Sequence, residues 1–531
     1  MYTWIFGTGV VVAFATCFSI GSNDASNSIA SVIGAKVLTR NQAIILGSIF
    51  EFAGAVFMGS HVTDAVRKNI ISLDVFENNP GALMLGMLCS SSACFIWLII
   101  ATFYSLPVST THSIIGGIIG FGLAYGGSSV VYWDNVGYIV LSWIISPVLS
   151  GLFSFSLFTT INKFVFKSKN PYNNTLKLFP ILTFFTLFIN TLFIIYKGSP
   201  QLDLDEIPLW KSLLITFGIS TGCALLAVFV YIPYVKKKME NEAVIENNNK
   251  IMASTKDPIE AHEDYSLNKR SVSYKEAFNN DNTTLNIKEN KNFIYDDNKD
   301  IKENIKLSKD YINTLIKKNS DEKIELLHNT AQAIDPKSDK LCSWLQIITA
   351  AASAASHGSN DLSNGIAPFA TIFYIYKNDK IAEELNVPIW LLVLGGAGIV
   401  TGLVLWSGRL IERMGRELTK ITPSRGFIIE LSAALTVIIA SRAELPVSTS
   451  HCQVGSILGV GLGNGKTNVD WKLVKGIVFS WLITLPVTGL LSAALFSFGY
   501  YSPNEQSAFD TNNLMDNMTN SSGFSGSGDY F

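Results

Sequence analysis

Charged side chains are scarce in this sequence, and they are unevenly spread. Asp, Glu, Lys and Arg make up 15% of the 531 residues, and residues 234–340 hold 19 of the 40 basic and 20 of the 42 acidic ones. Residues 78–133 are 56 consecutive positions with none of the four. About 20 apolar residues cross a bilayer as a helix, so a soluble chain of several domains is excluded and a polytopic membrane protein is expected. A positive excess is also missing: the net charge is -2, which leaves no broad cationic face for nucleic acid. The six cysteines (Cys17, Cys89, Cys94, Cys223, Cys342 and Cys452) lack metal-ligand or disulfide spacing and read as small buried hydrophobes. No basic residue precedes Lys36, so the amino terminus lacks the basic head of a cleaved signal peptide and reads as the first span.

What is present is a series of apolar runs, at 3–23, 41–63, 81–103, 107–125, 136–160, 178–196 and 212–234, then at 341–376, 388–408, 426–441, 445–463 and 476–500. They predict an all-α fold of about 12 membrane segments, because lipid offers an isolated strand no hydrogen-bond partners. The Ser105-Leu106-Pro107 corner is too short for an external loop, so 81–125 is expected to be a re-entrant helical hairpin. The short run at 426–441 meets its neighbour at Glu444-Leu445-Pro446 and predicts a second.

Basic residues mark cytoplasmic loops: Lys36 and Arg40; Lys163, Lys167, Lys169 and Lys177; Lys236 to Lys238; and Arg409, Arg413, Arg416, Lys420 and Arg425. Both termini lack Lys and Arg and are expected outside, a placement that sequons at Asn517 and Asn520 suit. Threading the runs between these anchors gives span, span, hairpin, span twice, starting from opposite sides, which is an inverted repeat of the kind on which many transporters hold substrate near the midplane. The expected organisation is a transport repeat at 1–165, two linking helices at 166–233, a disordered cytoplasmic loop at 234–340, the second repeat at 341–500 and an extracellular disordered tail at 501–531.

Two polar motifs interrupt the apolar runs, and each occurs twice. GSNDASN at Gly21 to Asn27 is answered by GSNDLSN at Gly358 to Asn364. Asn and Asp are hard oxygen ligands, and a carboxylate in lipid is costly without a compensating cation or donor. Asp24 and Asp361 are therefore expected to face a cation, with the glycines allowing local unwinding. For one copy, capping of a broken helix would explain the motif equally well; two copies in opposite halves favour the cation. LPVSTTH at Leu106 to His112 is answered by LPVSTSH at Leu445 to His451. Proline suits the first helical turn, so each predicts a half-helix starting inside the membrane with free N–H groups. Ser109, Thr110, Thr111, Ser448, Thr449 and Ser450 would surround those ends with hydroxyls, a cradle for a tetrahedral oxyanion. A single Ser-Thr run would more simply bond to its own backbone or a neighbouring helix. Asp24 to Pro107 is 83 residues and Asp361 to Pro446 is 85, which points to a duplicated unit.

Three further pairs of residues stand out. His112 and His451 either tune the site, carry protons or bond within the hairpins. Glu51 and Glu430 are intramembrane acids, which imply functional partners. Arg442 and Glu444 can pair with each other.

These doubled GxNDxxN and PVST[TS]H elements resemble those of the inorganic phosphate transporter (PiT) family, over roughly 1–165 and 340–500. The resemblance implies sodium coordination by Asn23, Asp24, Asn27, Asn360, Asp361 and Asn364. It further implies phosphate binding at Ser109 and Ser448 with their neighbouring hydroxyls, transport-essential roles for Glu51 and Glu430, and a homodimer. The expected function is sodium-coupled symport of inorganic phosphate, as the monovalent anion, across the plasma membrane by alternating access as one repeat rocks against the other. Sodium ions are the coupling ions, and no cofactor is expected. Proton coupling, another oxyanion such as sulfate, and a phosphate sensor are the alternatives. An intramembrane phosphohydrolase would need a dense Arg or metal cluster, which neither hairpin has, so an enzyme is not expected.

Overall fold

A computed structural model of the chain describes residues 2–58, 70–195, 207–254, 321–382, 385, 387–442 and 447–502. Regular structure among them is helical, with one isolated β-bridge between Ile71 and Val131. Among the described residues, ten helices are long and apolar enough to cross a membrane by length and composition. The Glu444 corner, the tail with its sequons, residues 255–320 and the Arg442 side chain lie outside the described residues.

The amino-terminal half comprises α1 (Thr3–Asn23), α2 (Ser26–Gly34), α3 (Arg40–Met58), α4 (Pro80–Phe103), α5 (Thr110–Gly126) and α6 (Trp133–Ile161). Asn79 starts α4 as an N-cap accepting from the Ala82 N–H at 3.1 Å, with Pro80 in the first turn. Next come α7 (Pro171–Ile195), α8 (Leu209–Leu226) and α9 (Ile232–Ser254). The carboxy-terminal half has α10 (Pro336–Leu341), α11 (Ser343–Asn378), α12 (Ile389–Trp406), α13 (Gly408–Glu412), α14 (Pro423–Arg442), α15 (Thr449–Asn464) and α16 (Trp471–Tyr501).

The halves are interlocked, with α1 packing along α12, α3 along α11, α5 along α16 and α6 along α15. Glycine makes the first two crossings close. A Cβ on Gly21 would lie 1.9 Å from the Ile399 carbonyl oxygen, and one on Gly358 2.1 Å from that of Glu51. These motif glycines therefore admit a neighbouring backbone, which is what small residues do where membrane helices cross. They do not unwind both helices as expected: the chain breaks at Asp24-Ala25 between α1 and α2, but α11 runs unbroken through its copy. At the α6–α15 crossing, Ser150 and Ser154 donate to the carbonyls of Cys452 and Ser456 at 2.7 and 2.8 Å. Outward faces carry exposed apolar side chains such as Phe229, Leu490 and Phe498, as lipid contact requires.

The polar insert is built into the fold at both ends, unlike the disordered loop expected over 234–340. Residues 234–254 continue α9, and the chain is helical again from 321 to 329. Lys323 pairs with Asp470 there, and His328 Nε2 donates to the Arg416 carbonyl at 3.0 Å. Gln332 and Asn162 exchange two amide hydrogen bonds at 2.9 Å, and buried Arg425 donates to the Gln332 carbonyl at 2.6 Å and to Asn464 at 2.9 Å. This segment thus straps the ends of α6, α14 and α15 together.

Candidate functional site

The two aspartates, the two helix starts and both glutamates are fully buried. Ser109 and Ser448 are the N-caps of α5 and α15. Their extended backbones (φ -90° and -89°) let the hydroxyl oxygens accept from the His112 and His451 N–H groups at 3.2 and 3.3 Å. Such a cap contributes about 1 kcal/mol, and it leaves the serine O–H hydrogen free to donate elsewhere.

The hydroxyls one and two positions further on turn to the aspartates. Asp24 Oδ2 accepts from Thr110 at 3.1 Å and Thr449 at 3.5 Å, while its Oδ1 accepts from Asn27 at 2.9 Å and from Ser450. Asp361 Oδ1 accepts from Thr449 at 3.2 Å and from Asn360 at 3.2 Å. Thr449 therefore lies between the carboxylates of opposite halves. The carboxamides cross over as well: Asn27 Nδ2 donates to Ser450 Oγ at 2.9 Å, and Asn364 Nδ2 to Thr111 Oγ1 at 3.0 Å.

Asn23 is placed differently from the other motif residues. It donates to Thr102 Oγ1 and the Leu106 carbonyl, both at 3.0 Å, and accepts from the Val108 N–H at 3.1 Å. Its carboxamide thereby stitches the Pro107 corner to α1 and does not face Asp24.

Oxygens remain for a cation. Asn27 Oδ1, Glu51 Oε2 and Asp361 Oδ2 are buried without a hydrogen-bond partner among the described residues, a costly arrangement unless something else binds them. No Lys or Arg pairs with Asp24, Asp361, Glu51 or Glu430 among the described residues, so a mobile cation suits the donor set. His357 is the functional candidate that sequence reasoning missed. It precedes the second motif, has Ile20 in the corresponding place of the first, and sets Nδ1 3.8 Å from Asp361 Oδ2. One ligand atom from each of Asp24, His357 and Asp361 falls within 4.8 Å of the others.

The glutamates occupy separate niches off the same helix. Ser28 of α2 donates to Glu51 Oε1 at 2.9 Å. Ser31, one turn on, donates to Glu430 Oε1, whose other oxygen accepts from Thr349 at 2.8 Å; Gln346 in turn donates to Ser31 at 3.1 Å. Among the described residues neither the His112 nor the His451 ring bonds to its own helix or the one before it; His451 Nδ1 donates instead to the Trp143 carbonyl of α6 at 3.1 Å.

The chain as a whole has counterparts among known proteins. Sodium-dependent phosphate transporter 1 of Rattus norvegicus is 29% identical over 93% of this chain and 95% of its own length. The human protein of the same name is also 29% identical, over 94% and 96%. Sodium-dependent phosphate transporter 2 of Xenopus tropicalis is 30% identical over 94% and 98%. A solved structure, of the sodium-dependent phosphate transporter, superposes with a TM-score of 0.70 at 28% identity, covering 94% of this chain and all of that one. The model of the Phosphate transporter family matches residues 20–492, a span that takes in both copies of both motifs, and the chain belongs to that family.

Proposed function

We propose that this protein is a sodium-coupled symporter of inorganic phosphate, carried as the monovalent anion. The observation that carries the proposal is that Asp24 receives hydroxyls from both half-helix starts, Thr110 of one half and Ser450 of the other, while Thr449 shares its one hydrogen between Asp24 and Asp361. A hydroxyl has one hydrogen, and while that hydrogen serves a carboxylate it cannot serve an anion. Sodium on the oxygens of Asp24, Asn27, Asp361 and Asn364 takes the place of those donors and frees Thr110, Thr449 and Ser450. The freed hydroxyls, together with Thr111, Ser109, Ser448 and the unpaired N–H groups of α5 and α15, then address a tetrahedral oxyanion at two positive helix ends. Ion and anion thereby raise one another's affinity, and that coupling free energy is reciprocal. In this proposal Asn23 holds the hairpin corner, Asn360 orients Asp361, and Glu51 and Glu430 are acids required for transport.

The wider architecture follows as a proposal of the same kind: an inverted repeat over 1–165 and 341–500, two re-entrant hairpins at α4–α5 and α14–α15, both termini extracellular, the plasma membrane as residence and a homodimer as the assembly. The bond from Asn23 to the Leu106 carbonyl supports the first hairpin, because it sets the corner level with the motif aspartate rather than beyond the helix end. The interlocked crossings of α1 with α12 and α3 with α11 favour alternating access by bundles drawn from both halves over rocking of one intact repeat against the other.

Proton coupling has one observation in its favour, the imidazole of His357 beside Asp361. Uptake of labelled phosphate into proteoliposomes, at clamped pH and with sodium replaced by choline, separates the two. Sodium coupling predicts loss of uptake in choline, and uptake driven by a pH gradient alone would establish the alternative. Competition by sulfate tests the choice of anion, and a sensor would show no uptake in any condition.

A further inference from the structure

The histidines that close the two PVST[TS]H elements meet between the halves. Both are 2% exposed, and their rings touch edge to face with centroids 4.5 Å apart at 78°. His112 stacks on Trp143 of α6 at 3.5 Å and His451 on Trp481 of α16 at 3.7 Å, each at 27°. The tryptophans hold corresponding places, 31 residues after His112 and 30 after His451. His451 also crosses over, donating Nδ1–H to the carbonyl of Trp143, so one imidazole is fixed by a ring of its own half and a backbone of the other.

Each histidine has a second tie. Its backbone N–H is the group that bonds the N-cap hydroxyl, His112 to Ser109 and His451 to Ser448. A residue whose ring is locked against the opposite half therefore also sets the orientation of a serine at the helix start. Aromatic contacts of this kind have definite preferred geometries, unlike simple apolar burial, and so transmit position.

We propose that His112 and His451 are positioning residues for the transported anion. The box of four rings fixes the first turns of α5 and α15 at one separation, so that hydroxyls and N–H groups of both ends address a single anion. Neither imidazole touches that anion; they act through Ser109 and Ser448. The inference rests on the phosphate reading above and adds to it the device that makes two half-sites into one.

The test is a kinetic series in proteoliposomes with labelled phosphate. His112→Leu and His451→Leu are each expected to raise the KM for phosphate by about tenfold, with the sodium dependence at saturating phosphate unchanged. Trp143→Ala, whose ring faces His112 and not the anion, should raise KM in the same way, and Trp143→Phe, which keeps the stack, should restore it to within about threefold. Because the rings touch, the His112→Leu/His451→Leu double variant should be no worse than either single change by more than about twofold. Unchanged KM with turnover falling only in proportion to folded protein, or fully additive effects in the double variant, would overturn the proposal. Melting of the wild type, the two single histidine variants and their double variant in detergent gives a readout without substrate. Non-additive shifts are expected there even if the wild type took up no phosphate, an outcome that would sink the phosphate reading alone, whereas additive shifts would sink the ring box.

Discussion

Asn27 of the first motif donates its amide to Ser450 of the second hydroxyl cluster at 2.9 Å, although 423 residues separate them. Its counterpart Asn364 does the same to Thr111 of the first cluster at 3.0 Å. Each half's motif asparagine thus reaches the other half's helix start, so neither half holds the complete hydrogen-bonded set alone.

Removing one charge from this arrangement tests which group holds the cation. Asp24→Asn keeps the size and the capacity to accept from Thr110 but loses the negative charge. It should abolish sodium-driven phosphate flux while leaving folding and membrane insertion intact, as judged by gel-filtration profile and melting temperature. Flux near the wild-type level would place the cation elsewhere.

Glu430 sits among Ser31, Thr349 and Gln346, away from the hydroxyl clusters. Glu430→Gln preserves its shape and one acceptor oxygen, so the fold should survive; removing a hydrogen-bonded charge is commonly felt at about 1–3 kcal/mol. Phosphate uptake should fall by about tenfold or more, because about 1.4 kcal/mol corresponds to one decade. Uptake within about twofold of wild type would make this acid structural.

Gly358 and Gly21 make the backbone approaches that bring the motifs together. Gly358→Ala would drive a methyl to 2.1 Å from the Glu51 carbonyl, a backbone atom that cannot swing aside. Overpacking typically costs about 1–3 kcal/mol, so thermal unfolding should shift downward clearly. Gly137→Ala, where a Cβ meets nothing within 4 Å, is the control and should not shift.

The strap over residues 321–335 should loosen in acid. Burial holds the His328 imidazole below its ordinary 6.5, reinforced by the charges of Lys420, Arg416 and Arg425 and opposed by the hydrogen bond to the Arg416 carbonyl. A group whose folded pKa is depressed in this way binds more protons when released, so docking is fully stable above about pH 6.5 and weakens as pH falls below it. Hydrogen exchange across residues 321–335 should accelerate between pH 7.5 and 5.5, after correction for the intrinsic rate, and His328→Gln should remove that dependence.

Much of the site was legible because polar residues inside apolar runs have few reasons to be there. Asp24, Asp361 and the two hydroxyl clusters stood out on that ground, and doubling separated them from ordinary caps. The pairing of Asn27 with Ser450 was not legible, since spacing within one half says nothing about which half it packs on. In sequence Gly21 and Gly358 look like points of unwinding, because a glycine that bends a helix and one that admits a neighbour are indistinguishable there. His357 has no counterpart in the first motif, where Ile20 stands, so repetition does not reveal it. Asn23 has the same chemistry as Asn27, and only the position of the Leu106 carbonyl shows that its amide is spent on the corner.

Sodium at the two carboxylates is proposed to free the hydroxyls that then bind the anion. Equilibrium binding of labelled sodium to the purified protein, titrated with and without phosphate, tests this most directly, with Thr449→Val as the variant that removes the hydroxyl between Asp24 and Asp361. The account predicts that phosphate tightens sodium binding by about tenfold in the wild type and much less in Thr449→Val. Sodium binding that is indifferent to phosphate in the wild type would contradict it.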